Sequence, residues 1–96
     1  MMNYYYVYVI QSQKDEKFYT GYTQDLNKRF KEHNSGKVSS TRLRRPFNLV
    51  YFEGSLNQKD AIKREKYLKI TYGKRYIKNR ISGYIDEIKQ IISQGE

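Results

Sequence analysis

The stretch FYTGYTQDLNKRFKEHNSG, residues 18–36, decides how the rest of the chain is read. FYTGY has the aromatic and β-branched content of a short strand. Thr23 then caps a helix over residues 24–34, with Asp25 in its first turn and Gly36 as its stop. Leu26 and Phe30, four apart, are the core contacts of that helix. Arg29 and His33 are also four apart and lie beside the apolar stripe. The ordinary readings are a solvated arginine and a satisfied boundary histidine; the sharper one is a shared polar site. Gly21 bears on the choice, because a glycine in a strand often marks close approach of a ligand or another backbone. Tyr19, two residues earlier, points to the same face.

The residues before this stretch supply its partner strand. YYYVYVI, residues 4–10, is apolar on both faces and suits a central strand buried on two sides. The polar turn QSQKDEK joins it to FYTGY as a hairpin, which brings Tyr8 near Tyr19 and Gly21. Downstream, SGKVSSTRLRRP is a long basic loop, and FNLVYFE is a third strand. Asn57 opens a second helix, with Asp60 three residues on, and this helix runs to about Ile70. TYGK then breaks the chain, and a third helix from Lys74 carries Ile77 and Ile81. After Ser82 and Gly83 a last amphipathic helix carries Tyr84, Ile85, Ile88, Ile91 and Ile92. The expected fold is α/β: a small, mostly antiparallel three-stranded sheet flanked by helices, in the order β-β-α-β-α-α plus a C-terminal helix.

Ninety-six residues without a cysteine make one domain, 1–96, with no disulfide or cysteine-based zinc site. Lys and Arg total 19 against 10 Asp and Glu, a net charge of +9. That field favours polyanions: nucleic acid first, an acidic membrane surface second. The apolar run at residues 4–10 is too short for a membrane span and lacks the features of a secretory signal, so a cytoplasmic protein is expected. The basic loop supplies Lys37, Arg42, Arg44 and Arg45, and YGKRYIKNR supplies Lys74 and Arg75. With Lys28 they are the candidate phosphate contacts; exposed tyrosines among them suit stacking on bases. A solvated charged surface is the alternative.

Glu65 is the sharpest anomaly. Ala61, Glu65 and Leu68 share one helix face, and a carboxylate between core contacts is costly unless paired, protonated or bound to a cation. A salt bridge to Arg64, Lys69 or a distant arginine is the ordinary account.

In order along the chain, Tyr8, Tyr19-x-Gly21, Arg29, His33 and Glu65 resemble the GIY-YIG nuclease family, with similarity over nearly the whole length. VYV at residues 7–9 stands for the first signature and YTG at residues 19–21 for the second. YTGYTQDLNKRFKEHNSGK, RRPFNLVYFE and REKYLK look like the small stand-alone bacterial members, themselves similar to the N-terminal domain of the excision-repair endonuclease subunit. Asn79, in KNR, stands where many members have a late asparagine. The resemblance implies a metal-dependent DNA endonuclease, with Glu65 the sole protein ligand of one Mg²⁺ or Mn²⁺. It implies that Arg29 holds the phosphate, Tyr19 is general base or positions water, His33 relays the proton, and Tyr8 orients water or phosphate. Which tyrosine takes the proton stays open. Gly21 would leave the strand bare where the substrate backbone approaches. The accessory modules of larger members have no place here, so specificity falls to the core, the loop 35–46, the last helix or a protein partner. DNA is favoured over RNA, and a monomer over a homodimer through the last helix. The alternative function is a nucleic-acid-binding module on the same fold without useful cleavage.

Overall fold

The computed structural model describes residues 3–94. Three strands, β1 (Tyr5–Ser12), β2 (Phe18–Thr23) and β3 (Phe47–Ser55), form one antiparallel sheet in the order β2-β1-β3. The helices are α1 (Leu26–Ser35), α2 (Gln58–Lys69), α3 (Thr71–Arg80) and α4 (Ser82–Gln94). The fold is therefore the expected α/β sheet flanked by helices. β1 is central because it is apolar on both faces: Val7, Tyr8, Val9 and Ile10 are all buried.

The two faces of β1 feed two cores. Val7 and Val9 join Val50, Ala61, Leu68, Ile77 and Ile81 under the layer of α2, α3 and α4. Tyr8 and Ile10 join Phe47 on the opposite face, against Leu26 and Phe30 of α1. The last helix adds Ile85 and Ile88 to the first core and leaves Ile91 and Ile92 exposed. Among the described residues no helix is long and apolar enough to cross a membrane.

Two element starts differ from the sequence expectation. Thr23 is the last residue of β2, and its hydroxyl accepts from the backbone N–H of Asp25 at 3.1 Å. Asp25 is the true cap of α1: its carboxylate accepts from Lys28 N–H at 3.1 Å, so the helix begins two residues later than expected. Gly36 does stop it, at φ 84°. Asn57 caps α2 through Asp60 N–H at 3.1 Å, as expected. TYGK, however, does not break the chain. The break falls at the single extended residue Ile70, and α3 starts at Thr71. Gly73 is glycine for packing: a Cβ there would collide with the Tyr67 carbonyl oxygen and sit 2.5 Å from the Leu68 Cα.

The basic loop is pinned at both ends rather than free. The Asn34 amide pairs with Phe47 like a strand backbone, accepting from its N–H at 2.7 Å and donating to its carbonyl at 3.1 Å. Buried Ser12 donates to the Arg44 carbonyl at 2.6 Å. Those ties turn Thr41 inward, fully buried.

Candidate active site

Helix α1 presents Leu26, Arg29, Phe30 and His33 at the zero, three, four and seven spacing of one face. That face lies on the sheet, so the arginine and the histidine go where the leucine and phenylalanine go. His33 is completely buried, with its imidazole 5.6 Å from the ring of Tyr8 and 5.1 Å from that of Tyr19, both edge-on.

The Tyr8 hydroxyl is the centre of the cluster. It lies 2.7 Å from His33 Nε2. His33 Nδ1 lies 2.8 Å from Thr41 Oγ1. The Thr41 hydroxyl donates to the Val38 carbonyl at 3.4 Å, which leaves its oxygen to accept from Nδ1–H. His33 Nε2 then carries no proton and accepts from Tyr8 Oη–H. The Arg29 guanidinium stands beside the same phenol. An arginine offers donors only, so it faces the lone pairs of Oη while the phenol proton faces the imidazole.

The electrostatics keep this cluster uncharged at its centre. Burial pushes the Tyr8 phenol up to about 12; the Arg29 hydrogen bond opposes this, while the charges of Tyr19 and Glu65 add to it. Burial first, and the Arg29 charge second, bring the His33 imidazole down to about 4, with Glu32 opposing. Both groups are neutral at neutral pH. Burial works against the Arg29 charge, but Tyr8 and then Glu32 outweigh it and raise its pKa further. The Arg29 side chain remains 37% exposed and meets Glu32 at 3.4 Å, so it links the buried phenol to solvent.

Gly21 pairs directly with Tyr8 across β1 and β2. A Cβ at Gly21 would run into the Tyr8 phenol ring. The bare strand thus makes room for a side chain of this protein, where the sequence reading reserved it for the substrate.

Glu65 lies on α2, whose Ala61 and Leu68 belong to the other core from Leu26 and Phe30 of α1, and its side chain is one-fifth exposed. Its direct contact is Lys69 Nζ at 3.5 Å, one helical turn on. Its bearing on Tyr8 is through charge. Arg64 does not pair with it. That guanidinium donates instead to the Glu53 carboxylate of β3 at 3.0 Å, and lies over the rings of Tyr67 and Tyr76.

The remaining predicted residues scatter. Asn79 is exposed on α3, and its carbonyl accepts from the Ser82 hydroxyl at 3.3 Å; it does not join the cluster. Lys74 and Arg75 also stand exposed on α3, the layer opposite α1. Lys28, Lys37, Arg42 and Arg45 are exposed on α1 and the loop that follows it. Arg44 is occupied: it pairs with Asp15 at 3.0 Å and lies 5.7 Å over the Phe47 ring. Thr41 is the cluster residue that sequence reasoning missed. A threonine in an aperiodic polar loop carries no pattern that would mark it as buried.

Tyrosines, an arginine and a histidine are thus gathered on one side of the small sheet. The chain belongs to the GIY-YIG family: the family model described as the GIY-YIG catalytic domain matches residues 4–85. It is 49% identical over 65 residues to the UPF0213 protein CPE1444 of Clostridium perfringens, covering 67% of this chain and 69% of that one. It is 41% identical over 68 residues to the UPF0213 protein YazA of Bacillus subtilis, covering 70% and 68% respectively. Among solved structures, the solution NMR structure of the UPF0213 protein BH0048 from Bacillus halodurans is 35% identical, covering 77% of this chain and 81% of that one, with a TM-score of 0.49.

Proposed function

We propose that this chain is a metal-dependent endonuclease that hydrolyses phosphodiester bonds in DNA. The observation that carries the reading is the Tyr8 hydroxyl, held by His33 Nε2 with Arg29 beside it and within reach of the Glu65 charge. Arg29 is the phosphate ligand: its charge is permanent, its fork matches two phosphate oxygens, and part of it is open to solvent. Tyr19 lies edge-on to the ring of His33, whose two nitrogens are engaged by Tyr8 and Thr41. Tyr8 is therefore the phenol that exchanges a proton with His33, and Tyr19 positions the attacking water. A phosphate bound at Arg29 offsets one of the causes of the low basicity of His33. Substrate arrival thus makes Nε2 a better proton acceptor.

The site's fit to a cation rests on Glu65, a largely covered carboxylate whose charge already acts on Tyr8. Among the described residues no three His, Cys, Asp or Glu side chains are grouped to hold a metal ion. An ion on Glu65 would keep water as most of its shell, which suits Mg²⁺ and, by extension, Mn²⁺. When bound, the ion supplies Lewis-acid stabilisation of the phosphate and the leaving oxygen. Lys28, Lys37, Arg42 and Arg45 flank the α1 side as phosphate contacts. The test is incubation with supercoiled plasmid in Mg²⁺, Mn²⁺ or chelator. Nicking should require the ion and vanish in Glu65→Ala; ion-dependent nicking that survives in that variant overturns the assignment.

The Glu65–Lys69 ion pair favours a second reading, a nucleic-acid-binding module without useful cleavage. A carboxylate satisfied by its own helix needs no metal. Under that reading, binding falls steeply with salt, no nicking appears, and Glu65→Ala leaves affinity unchanged.

A further inference from the structure

Helix α1 covers only part of its sheet face. The core beneath it holds Tyr8, Ile10 and Phe47, and Tyr6 and Phe52 lie further along the same face outside that core. The register makes this continuity explicit: Tyr8 pairs directly with Phe52, and Tyr6 pairs with Gly54. Phe52 is 54% exposed although it sits in a strand beside a fully formed core. Its ring lies 6.3 Å from that of Tyr6, edge-on, and Tyr4 lies 6.2 Å beyond Tyr6. Gly54 leaves the surface low where the Tyr6 ring lies over it, 3.6 Å from a Cβ built there. Phe52, Tyr6 and Tyr4 thus form a run of aromatic rings leading out from the Tyr8 phenol along this face, with Phe52 more than half exposed. The alternate residues of β3, Tyr51 and Glu53, belong to the other face with Arg64.

We infer that this aromatic strip is a stacking platform for unpaired nucleobases, so that the strand held at the site is single-stranded or splayed on one side of the cut. Rings stack on any base, because every base has a π face, whereas a duplex hides those faces within its own stack. The strip directly adjoins Tyr8, and residues two apart along a strand are about 7 Å apart, so it lies within nucleotide reach of a phosphate at Arg29. The +9 charge brings such a strand to the surface without selecting its bases. The inference rests on the nuclease reading only for where the scissile phosphate lies.

The chain has no tryptophan, so Phe52→Trp places a sole reporter on the strip. Titrations in chelator, where nothing is cut, would compare a 12-nucleotide DNA strand, the same RNA strand and a DNA duplex of equal length. Quenching by the single strands and not by the duplex is expected; the DNA and RNA arms tell which sugar is preferred. Phe52→Ala and Phe52→Leu should each weaken single-strand binding roughly tenfold with an unchanged salt slope. Circular dichroism checks that the variants fold. Equal quenching by duplex, or Phe52→Ala binding within twofold of the parent, overturns the inference. So does light scattering that shows a dimer lost in Phe52→Ala, because a second copy would then cover the strip. Plasmid nicking by the parent protein is scored separately: nicking without a preference for single strands sinks the platform alone, and a preference for single strands without nicking sinks the nuclease reading alone.

Discussion

The Tyr8 hydroxyl lies 2.7 Å from His33 Nε2 in a space closed to solvent on both sides of the bond. The bond joins residues 25 positions apart in the chain and ties the central strand to the inner face of α1. Its two groups are displaced from their ordinary titration in opposite directions, both toward the neutral form. The cluster can therefore be buried without burying charge at its centre.

Stability should depend on pH through this histidine. The unfolded imidazole titrates near 6.5, the folded one at about 4. Between these values the unfolded chain binds a proton that the folded chain does not, so unfolding gains as pH falls. The contribution of His33 is complete above about pH 6.5 and is lost progressively toward pH 4, on the order of 3 kcal/mol in all. Asp15, held down to about 2 first by its Arg44 hydrogen bond, titrates below this window. Urea midpoints at pH 7, 5.5 and 4.5 should fall steadily for the parent protein. His33→Gln should start lower at pH 7 and lose most of that slope; an unchanged slope would show that another group carries it.

Thr41 should set the tautomer of His33. Thr41→Val keeps the shape of the side chain and removes the oxygen that accepts from Nδ1–H. Either that donor stays unsatisfied, at about 1–3 kcal/mol, or the proton moves to Nε2 and the Tyr8 proton loses its acceptor. Nitrogen NMR of the ring should show the parent protonated at Nδ1 and the variant shifted. Nicking should fall up to roughly a hundredfold, the lower end of general acid–base contributions, and Thr41→Ser should restore it. A variant with the parent tautomer and reduced nicking would contradict the relay.

The glycines separate the site from the scaffold. Gly21→Ala forces the Tyr8 ring aside; Gly73→Ala forces α3 off the end of α2. Each overpacks a tight contact and should cost about 1–3 kcal/mol in urea unfolding. Only Gly21→Ala should lower nicking beyond what its lost stability explains, measured at a temperature where both variants are folded. Equal loss in both would mean that Tyr8 needs no exact placement.

How much of this was legible in the sequence follows from where periodicity exists. β1 announced itself because four successive buried positions need apolar side chains on both faces. The face of α1 was readable because Arg29 and His33 repeat at the spacing of Leu26 and Phe30. The starts of α1 and α3 were not. Thr23 and Asp25 are both good caps, and only the tertiary path decides between them. Gly73 reads as a breaker until the neighbouring backbone of Tyr67 and Leu68 is seen to exclude a side chain. Thr41 lies in a loop, where burial follows from the ties of Asn34 and Ser12 and leaves no period. Asn79 was placed by resemblance, and its helix lies against the other core.

Lys69 should compete with a cation for Glu65. Its side chain is 51% exposed and its ammonium lies 3.5 Å from the carboxylate, a geometry in which ion pairs contribute less than about 1 kcal/mol. Lys69→Met keeps the stem and removes the charge, so the carboxylate loses its competitor while the helix loses little. Under the nuclease reading, Mn²⁺ affinity by calorimetry should rise up to about fivefold, the equivalent of that energy, and half-maximal nicking should move to lower metal concentration. Glu65→Gln should abolish both signals whatever stands at residue 69. If the ion pair is instead the whole purpose of the carboxylate, neither protein binds Mn²⁺ measurably and Lys69→Met changes only the urea midpoint. That outcome would leave a phosphate-binding surface without a cutting centre.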